Sequence, residues 1–139
     1  MSDQSTRLTR ASDDYQQDDG LDLSQFIAKH HVALVVLQGP HRGAEYPLRR
    51  EKTVLGRSRG ATLVFDEETL SREHAAIVYR GGCFILEDLG SANGCSLNGE
   101  PVQSAELSHG DRIQLGHIQL QLILELREPE PGTHVLNAD

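Results

Sequence analysis

Between Arg112 and Leu126 the chain reads RIQLGHIQLQLILEL. Ile118, Leu120, Leu122, Leu124 and Leu126 fall on one parity, while Gln119, Gln121, Ile123 and Glu125 fall on the other. Successive side chains of an extended segment point to opposite faces. A period of two sustained this long therefore predicts a β-strand with one face in a core. Ile113 and Leu115 keep the same rhythm ahead of Gly116. Such a strand is not stable alone, because its backbone donors and acceptors need neighbouring strands and its apolar face needs a second layer.

The neighbours are readable upstream. HVALVVLQGP is a β-branched run stopped by Gly39 and Pro40, and EYPLRREKTVLGRS divides into two short strands. ATLVF is another, and HAAIVYRGGCFILEDLG reads as two strands joined at Gly81-Gly82, a favourable hairpin pair. No window between the flanking segments carries a comparable helical stripe. Many short strands separated by turn signals over about 95 residues predict an all-β protein built as a sandwich.

The flanks differ in composition. Residues 1–30 form an acidic N-terminal tail in which MSDQSTRLTRASDDYQQDDG is too polar to offset its ordering entropy, so disorder is expected there. LDLSQFIAKHH is more apolar, and a short helix near residues 22–29, capped by Ser24 and carrying Phe26 and Ile27, fits it, either docked on the domain or simply leading into it. His30-His31 reads as an exposed pair before the first strand. The domain is expected over residues 31–127. Residues 128–139 hold Pro129, Pro131 and Gly132 and read as a flexible C-terminal tail.

Charge and composition exclude several functions. Net charge is −8, and from Val32 to Leu126 the balance is 9 Lys/Arg against 12 Asp/Glu, so the flanks carry most of the acidity. A nucleic-acid binder needs a basic footprint, which is missing. The longest apolar run, VALVVL, is far short of the roughly 20 residues needed to span a bilayer. No signal-type stretch opens the chain, so a cytoplasmic location is expected. Cys83 and Cys95 are too few for a disulfide framework and read mainly as small hydrophobes, with a bridge between them as the minor alternative. The seven histidines show no paired Cys/His spacing, so neither a metal nor a cofactor is expected.

Chemistry concentrates in three polar loops: Gly56-Arg57, Ser71-Arg72-Glu73-His74, and DLGSANGCSLNGEPV over residues 88–102. On a β-sandwich, function usually sits in loops at one end. Ser71 near His74 admits a nucleophile with its base, but no third member and no Gly-x-Ser-x-Gly elbow accompany them. An anion site suits the residues better. Arg57 offers a bidentate fork, Ser71 a hydroxyl, Arg72 a second cation, and Asn93 an amide that can both donate to and accept from a peptide backbone. The residues also admit a plain reading. Arg57 could pair with Glu67 or Glu68, Ser71 could cap a turn, and Asn93-Gly94 and Asn98-Gly99 could be hairpin turns.

LGRS at 55–58, LSREHAAI at 70–77 and EDLGSANGCSLNGEPV at 87–102, with LSHGDRIQLG at 107–116, resemble the forkhead-associated (FHA) domain. No one of these motifs is specific. Four in order at matching intervals are. The resemblance implies a sandwich of about eleven short strands that binds phosphothreonine peptides and is not an enzyme. It implies Arg57 and Ser71 as phosphate ligands, Arg72 as an assisting cation and Asn93 as the holder of the peptide backbone. Gly56 and His74 match structural positions, and Gly94, Asn98 and Gly99 match turn-forming ones. Two departures stand out: Ala92 replaces a Ser or Thr that helps bind phosphate, and Cys95 replaces a Thr.

The expected function is therefore a phosphothreonine-reading adaptor in Ser/Thr kinase signalling. Its expected partners are a threonine-phosphorylated protein or peptide and a Ser/Thr protein kinase, with no nucleic acid and no membrane. The alternative is a degenerate FHA domain that binds proteins without regard to phosphate. Thr6, Thr9 and Thr133 in the tails are candidate phosphorylation sites through which the protein would regulate itself.

Overall fold

The period-two runs become strands, and they stack as two sheets. A computed structural model describes residues 22–127. Among these residues one helix, α1 (Leu23–Lys29), leads directly into β1 (His30–Gln38). There follow β2 (Glu45–Pro47), β3 (Lys52–Gly56), β4 (Leu63–Val64), β5 (Ala75–Arg80) and β6 (Cys83–Asp88). The chain continues through β7 (Cys95–Leu97), β8 (Glu100–Val102), β9 (Ser104–Leu107), β10 (Arg112–Leu115) and β11 (Ile118–Leu126). One sheet has the order β2-β1-β11-β10-β7-β8 and the other β4-β3-β5-β6-β9. Pairing is antiparallel except between β3 and β4.

The inner faces meet in one core. Leu34, Ile113, Leu115, Ile118, Leu120 and Leu122 of the larger sheet face Leu55, Ile77, Phe84 and Leu86 of the smaller. Each fully buried aliphatic side chain of this kind contributes about 1.5–3 kcal/mol. Phe65 and Leu70, in the long connection between β4 and β5, are also buried in this core. They pin the polar loop they flank.

The alternation of β11 holds through Leu122 and then fades. Leu124 is half-buried and Leu126 is 73% exposed, against the expectation that it faces the core. The reason is the sheet's outline: β10 pairs only as far as Gln121, so the last residues of β11 overrun their neighbour on that side.

Two local expectations are corrected at the N-terminal side. The helix is capped by Asp22 and not by Ser24. Asp22 Oδ1 accepts from Gln25 N–H at 2.9 Å, and Gln25 Oε1 accepts from Asp22 N–H at 3.1 Å, closing a reciprocal capping box. Ser24 sits inside the first turn and donates its hydroxyl to the same Asp22 oxygen. Leu23 and Phe26 are buried in the common core, so of the two expected placements the helix takes the docked one. His30 and His31 are not an exposed pair before the first strand. They open β1 and are half-buried. His30 stacks on Phe26 at 3.9 Å between ring centroids, and His31 Nε2 lies 2.7 Å from Glu45. Residues 1–21 and 128–139, with Thr6, Thr9 and Thr133, lie outside the described residues.

Candidate functional site

Strand register brings the motif-bearing loops to one end of the sandwich. Leu55 pairs with Ala75, so the exit of β3, where Arg57 stands, meets the entrance of β5, where Ser71–His74 stand. Ala75 pairs with Asp88, which adds the exit of β6. From there the chain crosses to the other sheet through Leu89–Gly94. Cys95 pairs with Leu115, so the entrance of β7 meets the β10–β11 turn.

His74 ties these loops together. It is fully buried. The backbone N–H of Ser71 donates to His74 Nδ1 at 3.1 Å, so Nδ1 is the acceptor and the ring proton resides on Nε2. Nε2–H then donates to the carbonyl of Gly94 at 2.8 Å. The ring is also framed by its own backbone: His74 N–H donates to Leu55 O at 2.9 Å, and His74 O accepts from Leu89 N–H at 3.0 Å. Both imidazole nitrogens are committed to backbone groups, and Ser71 Oγ bonds elsewhere. This is not a nucleophile with its base.

Ser71 Oγ accepts from the backbone N–H of Ala92 at 3.0 Å. That bond uses one lone pair and leaves the hydroxyl proton to donate to a ligand. Ala92 itself is exposed and offers no hydroxyl, but its N–H has this second use of holding Ser71.

Arg57 is exposed and anchored. Its Nε donates to Leu70 O at 3.0 Å, while its backbone N–H donates to Ser71 O at 3.1 Å. The neighbouring Ser58 N–H donates to Arg72 O at 3.1 Å. Among the described residues neither Arg57 nor Arg72 forms an ion pair with a carboxylate. The plain pairing of Arg57 with Glu67 or Glu68 does not occur. Glu67 instead accepts from Thr69.

Gly56 has a steric reason. A Cβ there would lie 2.0 Å from Arg72 O and 3.0 Å from Glu73 Cα, both backbone atoms that cannot swing aside. Only a residue without a side chain lets β3 run this close to the Ser71–Glu73 segment.

Asn93 is exposed, and its Nδ2 donates to Thr69 O at 2.8 Å. Gly94 follows and presents its carbonyl to His74. Asn98 and Gly99 are not part of this end. They form the two-residue turn between β7 and β8, both with positive φ (52° and 89°), as such hairpins require. Asn98 bonds Arg112 and Asp111 at the start of β10, the opposite end of that strand from the loops. Thr69, Ala92 N–H, Leu70 O and the Gly116-His117 turn were not singled out by sequence reasoning, because their contributions are mostly backbone groups placed by long-range pairing.

Neither cysteine is bridged. Cys95 is buried at the head of β7, and Cys83, on the other sheet, has its Sγ 3.2 Å from Glu106 Oε2. Among the described residues no group of three or more His, Cys, Asp or Glu is placed to hold a metal ion. No helix among them is long and apolar enough to cross a membrane.

The model of the FHA domain matches residues 53–116, the span from β3 to the β10–β11 turn. A solved structure from a study of phosphothreonine-dependent FHA domain interactions superposes with a TM-score of 0.62 at 32% identity, covering 72% of this chain and 99% of that one. The chain belongs to the FHA family. Among curated relatives, the glycogen accumulation regulator GarA of Mycolicibacterium smegmatis is 37% identical over 101 residues, covering 73% of this chain and 64% of that protein. The oxoglutarate dehydrogenase inhibitor of Corynebacterium diphtheriae is 41% identical over 90 residues, covering 65% of this chain and 63% of that protein. This FHA chain thus spans a little under two thirds of the length of the curated relatives it matches. The two sheets and eleven strands of its described residues are those expected of an FHA β-sandwich.

Proposed function

We propose that this FHA domain binds phosphothreonine peptides through Arg57, Ser71, Arg72 and Asn93, and that it acts as a regulatory adaptor in Ser/Thr kinase signalling and not as a catalyst. The observation that carries the reading is the state of Arg57. Its guanidinium is held by one bond from Nε to Leu70 O and has no carboxylate partner among the described residues. An arginine fork anchored at Nε and open at its two Nη groups suits a dianionic phosphate. Ser71 stands beside it, with a hydroxyl proton left to donate. Arg72 adds a second cation on the same loop, and Asn93 adds an amide for the peptide backbone.

The relatives support the same class of role. Their names describe a regulator and an inhibitor, and the solved FHA structure concerns phosphothreonine-dependent interactions. The partners proposed are a threonine-phosphorylated protein and a Ser/Thr kinase that creates the mark. Phosphorylation of Thr6 or Thr9, or of Thr133, would make a ligand tethered to its own receptor. Such tethering raises the effective concentration to about millimolar, enough to close the site to other partners.

The test is calorimetric titration of matched phosphothreonine, phosphoserine and unphosphorylated peptides against wild type and Arg57→Ala. A hydrogen bond to a charged group contributes about 1.5–3 kcal/mol, so Arg57→Ala should weaken the phosphothreonine peptide at least about tenfold with the fold intact. Membership of the FHA family implies a small pocket for the threonine methyl, worth about 1–3 kcal/mol, so phosphoserine should bind more weakly. Equal binding of phosphorylated and unphosphorylated peptides would replace this reading with a phosphate-independent interaction module.

A further inference from the structure

Four hydrogen bonds converge on Thr69, a residue that no motif singles out. Its carbonyl accepts from Asn93 Nδ2 at 2.8 Å. Its hydroxyl donates to Glu67 Oε2 at 2.7 Å, and its backbone N–H donates to the same oxygen at 3.1 Å. The hydroxyl also accepts from the backbone N–H of His117, forty-eight residues away, at 2.9 Å. The β10–β11 turn closes on it from outside: a Cβ on Gly116 would lie 2.5 Å from Thr69 Oγ1 and 2.8 Å from its carbonyl oxygen.

This bracket has a consequence for Asn93. A carbonyl can only accept, so the bond to Thr69 O assigns the NH2 side of the Asn93 amide inward. Oδ1 accepts no hydrogen bond among the described residues. The position of the Thr69 carbonyl therefore decides which way the free acceptor of an exposed side chain faces. An exposed asparagine without such a tether samples several rotamers and must be ordered when it binds.

We propose that Thr69 is a positioning residue of the peptide site. Its carbonyl orients the Asn93 amide, and its hydroxyl, held between the Glu67 carboxylate and the Gly116-His117 turn, keeps that carbonyl in place. The inference rests on the phosphopeptide reading above and extends the site to a fourth loop, the β10–β11 turn.

A double-mutant cycle with an independent measurement on the unliganded protein tests it. Thr69→Val removes the hydroxyl at nearly constant volume and Thr69→Ser keeps it. Thr69→Val should weaken a phosphothreonine peptide by about five- to tenfold, the scale of one net hydrogen bond. Thr69→Ser should stay within about twofold of wild type, and Thr69→Val should cost under about twofold when added to Asn93→Ala, because the two residues act in series. In the unliganded protein, NMR should find the Asn93 side-chain NH2 protected from exchange in wild type and Thr69→Ser, and unprotected in Thr69→Val. An equal loss from Thr69→Val with and without Asn93→Ala would make Thr69 a general loop brace and overturn the proposal. So would an Asn93 amide that exchanges alike in all three. Failure of the wild-type chain to bind any phosphothreonine peptide would instead overturn the phosphoreader reading, and the amide exchange would still decide whether Thr69 sets Asn93.

Discussion

Nε2–H of His74 donates to the carbonyl of Gly94 across 2.8 Å, joining a loop of the five-stranded sheet to one of the six-stranded sheet twenty residues further along the chain. With the bond from Ser71 N–H to Nδ1, one buried ring satisfies two backbone groups, Ser71 N–H and Gly94 O. His74→Ala strands both, at about 1–3 kcal/mol each, and adds a cavity. A loss of 1 kcal/mol lowers the melting temperature of a domain this size by about 4–8 °C. A fall of at least about 5 °C in calorimetry is expected, accompanied by weaker peptide binding. Normal melting in this variant would refute the role of His74 as the brace between the loops.

Gly56→Ala should be more damaging than Gly94→Ala, although Gly94 is the one with positive φ (76°). At Gly56 the added methyl meets the Arg72 carbonyl at 2.0 Å, while at Gly94 nothing lies within 4 Å. Overpacking costs about 1–3 kcal/mol or more when the obstacle is backbone, against about 1–2 kcal/mol for a left-handed alanine. Urea denaturation midpoints should rank wild type, Gly94→Ala, Gly56→Ala in falling order. Gly56→Ala should also lose phosphopeptide affinity, since Arg72 and Ser71 must shift. The opposite ranking would refute the close approach.

Acid should loosen the Thr69 bracket. The hydroxyl and then the N–H of Thr69 hold the Glu67 carboxyl below its ordinary value of 4.5, with a smaller contribution from His117. A depressed folded-state value means that this contribution is complete above about pH 4.5 and is lost as pH falls through the folded value. Glu67→Gln should therefore flatten the acid limb of the melting temperature against pH below about 4.5. Identical acid limbs for the two proteins would show that the carboxylate adds nothing there.

The Cys95 thiol should be inert in the native protein. Burial, and then the nearby Asp88 carboxylate, push it up to about 12 from its ordinary 9.0. The thiolate is the reactive form, so alkylation at pH 8 should spare Cys95 until the chain is unfolded. A raised value favours the protonated folded state, so this contribution is full below pH 9 and declines as pH rises toward 12. Peptide mapping after alkylation checks it, and native labelling of Cys95 would contradict its burial.

Much of the architecture was legible in residues 32–122. Period-two alternation in β11 and the Gly81-Gly82 and Asn98-Gly99 turns are local signals, because side-chain parity and turn dihedrals depend on the nearest few residues. The loop motifs carried the family by their order and spacing. Other features were decided only by the folded chain. Asp22 caps the helix in place of Ser24, Leu23 and Phe26 join the core, and Leu126 loses its inward face where β10 stops short. The site is tertiary in the same sense. Asn93 reaches Thr69 across twenty-four residues, and His117 reaches the same residue across forty-eight. Motif spacing says which side chains are available, but the direction of the Asn93 amide depends on a backbone carbonyl, and only the pairing of the two sheets puts that carbonyl beside it.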